Sequence, residues 1–333
     1  MILVVGGAGY VGLVLVEHLL AAGYRVRVLD PLWFGNRLWR IEGGNSVDLI
    51  VGNTRTRSPA ALEDVEAAII LGGFSSDPMS DARPAVHYEI NVLGTKRIAE
   101  MCKQVGVPRL VFASSASVYD MGTGEEQDVL RDEESAIYPV ASYPSSKYEA
   151  ERILRSMGDS KFCPIILRKG TVYGFSHRMR YDLVVNTFIK NAMTTGKLTL
   201  HSGGEVWRPL IDVRDVARAY IAAIEAPSHS VCNEVFNISG DNVRVSELAL
   251  RMQVVLRDMG IPVEIAPDYS PRPMRSYRMS TEKASHILGF TSQEDIENSV
   301  GEVIDNIRRY DYVDFDNSVY YNIQWMERGG CDV

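Results

Sequence analysis

The chain has 333 residues, 46% of them hydrophobic, enough to bury a large core in two domains or one extended one. Its net charge of −8 and pI near 5.4 exclude a basic surface of the kind that grips nucleic acid or an anionic membrane. No run reaches the ~18 apolar residues of a membrane span, and the N-terminus makes a poor secretory signal, so a cytoplasmic protein is expected.

The first residues, Met1-Ile-Leu-Val-Val, form a continuous apolar run of the sort buried on both faces of a parallel sheet. Gly6, Gly9 and Gly12 follow it, and then comes a helical pattern over 11–22 that stops at Gly23. Glycines in that spacing permit a tight turn and close approach of the backbone to a pyrophosphate, which the helix N-terminus then faces. A second strand is predicted over 25–29, and Asp30 closes it. A carboxylate there accepts hydrogen bonds from ribose hydroxyls and repels a 2′-phosphate, so NAD is favoured over NADP.

Strands are predicted over 47–51, 67–71, 109–113 and 164–168, with helices over 91–106 and 143–157. Strand alternating with helix implies right-handed crossovers, an α/β fold and a doubly wound parallel sheet. Past residue 174 the alternation loosens. Helices are expected over 183–195, 212–226 and 245–259 and short strands over 198–201 and 235–238, with loops at Gly203-Gly204 and the Pro-rich stretch 267–273. The reading is a dinucleotide-binding domain over 1–174 that carries the catalytic residues. A smaller mixed substrate-binding lobe spans 175–310, interleaved with the last sheet strands, and 311–333 is a tail without firm pattern.

The helix over 143–157 opens with Tyr143-Pro-Ser-Ser-Lys147, and Ser114-Ser115 lies upstream at the end of a strand. Lys147 sits one helical turn beyond Tyr143 on the same face. A free phenol is a poor base near neutrality, and a nearby ammonium favours the phenolate. Ser115 can hydrogen-bond the same substrate oxygen. The set Ser115, Tyr143 and Lys147 therefore suits proton transfer coupled to hydride transfer. Cys102, Cys163, Cys232 and Cys331 have no metal-ligand spacing and are expected to be reduced, mostly structural thiols. The six histidines form no ligand pair, so no metal site is expected. His87, His177, Arg178 and Arg180 fall in loops expected to line a sugar pocket.

On these motifs the chain resembles the extended short-chain dehydrogenase/reductase family, within it the NAD-dependent nucleotide-sugar epimerases and dehydratases. The resemblance spans about residues 1–305. It also rests on Asn91-Val-Leu-Gly-Thr95, Phe112-Ala-Ser-Ser-Ala-Ser-Val-Tyr119, Leu167-Arg168 followed by Val172-Tyr-Gly174, and Trp207-Arg-Pro-Leu-Ile-Asp-Val-Arg-Asp215. It implies that Tyr10 and Val11 cover the pyrophosphate, Asp30 holds the adenosine ribose and Lys147 the nicotinamide ribose. Tyr143 is implied as the acid/base, with Ser115 beside it. Asn53, Thr54, Leu71, Asn91 and Ser114 are the remaining implied cofactor contacts. Ser115, Ser117, Asn186, Arg208 and Arg275 are implied substrate contacts, the two arginines as a clamp on the diphosphate of a nucleotide diphosphate sugar. The resemblance also implies a homodimer through the helices over 91–106 and 143–157.

Departures from the family pattern narrow the chemistry. Gly52-Asn53-Thr54-Arg55-Thr56 stands where Gly-Asp-x-x-Asp is usual, Gly72-Gly73 where Ala-Ala is usual, and Thr171 where Asn is common. A 4,6-dehydratase needs an Asp-Glu pair after the active-site hydroxyl residue, and here that pair is Ala116-Ser117, which titrates nothing. A 3,5-epimerase/reductase would carry a cysteine at Ser117, and a sugar-acid decarboxylase a glutamate in this segment. What remains is C4 epimerisation by oxidation and re-reduction. Net 4-dehydrogenation or 4-keto reduction is the alternative, and a non-catalytic NAD-binding protein of the same fold is a third.

Overall fold

The computed structural model describes residues 1–55, 59–120, 129–270 and 275–329. Thr56, residues 271–273 of the Pro-rich stretch and Cys331 lie outside them. In chain order the first half gives β1 (Ile2–Val5), α1 (Tyr10–Ala21), β2 (Val26–Asp30), β3 (Asp48–Val51), β4 (Ala67–Ile70), α2 (Asp77–Ala82) and α3 (Pro84–Tyr88). After a π-helical turn, Glu89–Gly94, come α4 (Thr95–Val105), β5 (Arg109–Ser115), β6 (Leu130–Arg131), α5 (Ser142–Met157) and β7 (Cys163–Lys169). The second half gives β8 (Thr171–Tyr173), α6 (Val184–Thr194), β9 (Lys197–His201), β10 (Trp207–Asp212), α7 (Val213–Glu225), α8 (Ser228–Val231) and β11 (Val235–Ile238). It ends with β12 (Asn242–Arg244), α9 (Val245–Asp258), β13 (Glu264–Asp268), β14 (Arg278–Met279), α10 (Glu282–Leu288), α11 (Ile296–Arg309) and α12 (Asn322–Glu327).

Seven parallel strands form the main sheet in the order β11-β7-β5-β4-β1-β2-β3. The α/β reading holds. Alternation along β1 sends Ile2 and Val4 into the core shared with α1 and α7. Leu3 and Val5 go into the core on the other face, with α4 and α5. A strand covered on both faces needs apolar residues at every position, which is why β1 reads as an unbroken run. The order reverses between β1 and β4, so the crevice at the carboxyl ends of these strands is where a ligand sits.

The second lobe is built from the sheet β12-β10-β8 and the pair β13-β9, around a core of its own. It is threaded into the first, because β11 rejoins the main sheet beside β7. Pro267, expected in a loop, lies in β13, paired in parallel with Leu200. The residues past 310 are not patternless in space: Tyr312, Phe315, Val319 and Tyr320 fill the lobe core, and Met326 enters a cluster with Phe74, Met79 and Ile90. Their signal escaped the sequence because a segment buried piecemeal against several elements has no single period.

The expectation of free thiols fails for two of the cysteines. Cys163 and Cys232 form a disulfide, with Cα atoms 4.7 Å apart across a separation of 69 residues. Sheet pairing accounts for the meeting: Cys163 begins β7 and Cys232 precedes β11, which are neighbours. Cys102 is buried and free. Among the described residues no helix is long and apolar enough to cross a membrane, and no group of His, Cys, Asp and Glu is arranged to hold a metal ion.

Candidate active site

A cavity of about 400 Å³ opens at the carboxyl ends of β1, β4, β5 and β7, roofed by the second lobe and the C-terminal segment. At one end lie Gly6, Gly9, Tyr10, Val11, Gly12, Asp30 and Leu71. Gly6 has φ +85°, and a Cβ there would come within 2.5 Å of the Gly72 nitrogen. A Cβ on Gly12 would come within 2.2 Å of the Gly6 carbonyl oxygen, so both positions require glycine for the turn to pass beneath the helix. Helix α1 has Gly9 as its N-cap, no side-chain cap and no acidic residue in its first turn, so its first N–H groups stay open at the cavity end. The Asp30 carboxylate accepts from the backbone N–H of Ala8 at 3.0 Å and of Leu32 at 2.7 Å. Burial nevertheless raises its pKa. These residues fit a dinucleotide: donors without partners at a helix N-terminus, room that only glycines leave, and a buried carboxylate at the end of the second strand.

At the other end Ser115, Ser117, Tyr143, Lys169 and Tyr277 line the same cavity. The Ser115 oxygen accepts from the Ser117 hydroxyl at 2.9 Å and from the Ser117 N–H at 3.2 Å. It thereby keeps its own proton to donate on the side of the cavity that Tyr143 also lines. Burial pushes the Tyr143 phenol up to about 12; the Ser115 hydrogen bond and the Arg180 guanidinium act against the rise. Lys147 is buried beneath, donating to the Ala113 carbonyl at 2.9 Å, with its Nζ 5.9 Å from the Tyr143 ring centre. Burial and the neighbouring Lys169 bring Lys147 down to about 7. Strand register puts Lys169 directly opposite Ser115, where it donates to the Ser114 carbonyl at 3.1 Å. Two ammonium groups thus flank the end of β5.

Of the remaining cofactor and substrate contacts named from sequence, only Arg275 lies on the cavity wall. Asn53 and Thr54 are buried beyond the cavity wall, Asn53 accepting from Arg55 N–H and the Thr54 hydroxyl donating to the Ile90 carbonyl. The Asn91 amide clamps both backbone groups of Phe74, at 2.8 and 2.9 Å. Ser114 donates to the Glu151 carboxylate, part of a buried network with Arg168 and Tyr119. Asn186 is fully buried, and its polar atoms bond to Tyr10, the Arg180 carbonyl and Gly174 N–H. It joins the lobe to α1 without reaching the cavity wall. Arg208 is spent on the carbonyls of Trp207 and Arg275. Arg275 does line the cavity, held between Asp77 and Asp120.

Of the loop residues, Arg178 and Arg180 line the cavity, whereas the two histidines do not. His87 is buried against Ser146, 2.8 Å away, and stacks on Phe74. His177 packs among Phe175, Tyr310 and Tyr312. Reading the sequence missed Trp33, Phe34, Lys169, Tyr277 and Asn322, all on the wall. Lys169 carried a signal, one residue past the end of the predicted strand. Asn322 carried none.

Residues 2–239 match the model of the NAD dependent epimerase/dehydratase family. A putative UDP-glucose 4-epimerase of Methanocaldococcus jannaschii is 29% identical over 91% of this chain and 97% of its own length. The UDP-glucose 4-epimerase of Bacillus subtilis is 28% identical over 89% of this chain and 93% of its own length. Among solved structures, MoeE5 in complex with UDP-glucose and NAD superposes with a TM-score of 0.78 at 26% identity, covering 93% of this chain and 99% of that one. The UDP-glucose 4-epimerase of Thermotoga maritima with UDP-glucose gives 0.79 at 25% identity over the same shares.

Proposed function

The chain belongs to the NAD dependent epimerase/dehydratase family, and on that premise we propose that it is a nucleotide-sugar epimerase working by transient oxidation at C4. The observation that carries this reading is that Ser115 and Tyr143 line the same cavity as the glycine turn, with Lys147 fixed beneath. NAD, when bound, supplies the hydride acceptor and donor. Gly6, Gly9, Gly12 and the α1 N-terminus hold its pyrophosphate and Asp30 its adenosine ribose. Tyr143 removes the proton of the sugar hydroxyl and later gives it back. Ser115, whose oxygen already accepts twice from Ser117, keeps its single proton to donate to that same sugar oxygen. Lys147, fixed by the Ala113 carbonyl beneath Tyr143, is placed to hold the nicotinamide ribose, and the Arg180 guanidinium supplies positive charge that favours the phenolate.

Epimerisation needs nothing more. Ala116 and Ser117 offer no acid/base pair for dehydration. UDP-glucose and UDP-galactose are the substrates to try first, because the relatives' names specify UDP-glucose. A homodimer through α4 and α5 forms part of the same proposal.

The test is native mass spectrometry of the purified protein, followed by incubation with UDP-glucose and UDP-galactose. We expect co-purified NAD, interconversion of the two sugars and no accumulation of NADH. Accumulating NADH would replace epimerisation by net 4-dehydrogenation, and a protein that binds the nucleotides without turnover would be a binding module.

A further inference from the structure

We propose that Arg178, brought from the substrate lobe by the loop between β8 and α6, is an anion-binding residue that closes over the pyrophosphate of the bound dinucleotide. The inference rests on reading the glycine end of the cavity as the NAD site. Arg178 is 2% exposed, yet it lines that cavity. Its Nη1 donates to the Met179 carbonyl at 3.4 Å, its Nη2 donates to the Asn322 side-chain oxygen, and its guanidinium lies 3.8 Å from the centre of the Phe34 ring. Its Nε is buried without a partner.

No carboxylate neutralises it among the described ion pairs. The nearest anions are committed elsewhere: both Asp30 oxygens accept backbone N–H groups, and Asp182 is held by both arms of Arg180. The other titratable groups whose field reaches Arg178 are Arg180 and Arg37, which are cations, and the Tyr10 phenol, which burial keeps neutral. Burial, joined by Arg180 and Arg37, brings the guanidinium down to about 9 against the opposing pull of Asp182 and Tyr10. A fully buried cation in such surroundings costs several kcal/mol unless an anion joins it.

The charge requirement and the geometry indicate the same ligand. From below, the uncapped N-terminus of α1 meets the cavity; from above, Arg178 lines it, with one guanidinium N–H that has no partner within the protein. A pyrophosphate diester carries negative charge on oxygens that can accept from both sides. Both the dinucleotide and a nucleotide sugar contain that group. Arg178 belongs with Asp30, Tyr10 and Phe34 rather than with Ser115 and Tyr143, and this assigns it to the dinucleotide.

The experiment strips the purified full-length protein of co-purified nucleotide. It then titrates NADH, ADP-ribose and UDP into wild type, Arg178→Met and Arg178→Lys, and records the ligand-free unfolding midpoints. Arg178→Met is expected to weaken NADH and ADP-ribose each by roughly 10–100-fold, the range for a lost hydrogen bond to a charged group. UDP should stay within about 3-fold, since it does not occupy the glycine end. Arg178→Lys should recover part of the loss, because an ammonium keeps the charge without the planar fork. The ligand-free midpoint should be unchanged or raised in Arg178→Met, since an unpaired buried charge is gone. Unchanged ADP-ribose affinity would overturn the assignment, as would a loss confined to UDP. A fall in midpoint with equal weakening of all three ligands would make Arg178 a structural anchor for α12. Wild type that binds neither NADH nor ADP-ribose would overturn the dinucleotide reading itself, whereas tight binding unaltered in Arg178→Met would overturn this inference alone.

Discussion

At the scale of single residues the proposed chemistry concentrates on Tyr143. Burial makes its phenol a weaker acid than a free tyrosine, so the site has to supply the compensation. The sequence placed Lys147 in that role by its helical spacing. In the structure the influences that lower the phenol are the Ser115 hydroxyl and the Arg180 guanidinium. Arg180 comes from a loop whose position relative to α5 no local spacing encodes. Replacing Tyr143 by phenylalanine is expected to lower turnover by roughly 10²–10⁴-fold, the usual effect of removing a general acid/base. NAD retention should persist, because the glycine turn and Asp30 are untouched. Turnover close to wild type in Tyr143→Phe would exclude the phenol from proton transfer. Asn91, Ser114 and Asn186 teach the complementary lesson: a residue type at a family position was legible, but the bonds its polar atoms make depended on what packed around them.

Among elements, α1 and its glycine turn were the most legible, since a buried parallel strand, a tight turn and a helix each impose their own residue types within a few positions. The steric demand is sharpest at Gly12, where a methyl group would meet only backbone atoms of Gly6 and Gly7. Gly12→Ala is therefore expected to destabilise the fold by about 1–3 kcal/mol through overpacking. Dinucleotide affinity should fall at least tenfold as the turn shifts away from the α1 N-terminus. Denaturant unfolding and an NADH titration would check the two together, and a variant unchanged in both would refute the close-approach argument. Boundaries moved by a residue or two, as at β5, which runs on to Ser115. The helix expected over 91–106 proved to be a π-helical turn followed by α4, because apolar periodicity does not reveal which carbonyl each N–H selects. The Cys163–Cys232 bridge likewise needed the pairing of β7 with β11 before its partners could be known.

For the molecule as a whole, packing between distant segments sets both the shape of the cavity and the response to acid. His87 and His177 are buried by elements remote in sequence, and burial holds each down at about 4 in the folded protein. The unfolded chain takes up protons on these rings below about 6.5, whereas the folded chain refuses them until about 4. Stability should therefore be fully present above pH 6.5 and be lost progressively as pH falls towards 4, by roughly a few kcal/mol in total. Unfolding midpoints recorded across that window should slope downward with acid, and His177→Phe should flatten the slope. A midpoint indifferent to pH between 6.5 and 4 would mean that the rings are not held neutral. The C-terminal segment acts on the same scale: Asn322 joins the cavity wall and bonds to both Arg178 and Ser75.

The sequence by itself determined the parallel sheet, the glycine turn, the acidic end of β2 and the one-turn spacing of Tyr143 and Lys147 on α5. Each of these is imposed by local sterics, by periodicity or by helical spacing, which act over a few residues. Only the tertiary structure decided that Arg178 and Lys169 face one cavity, that Arg180 acts on Tyr143, that Asn186 spends its amide on the lobe contact, and that residues past 310 cover the site. Those facts depend on which surfaces meet when elements far apart in the chain bury their apolar faces together. Burial then fixes the charge and the partner of each polar group caught between them.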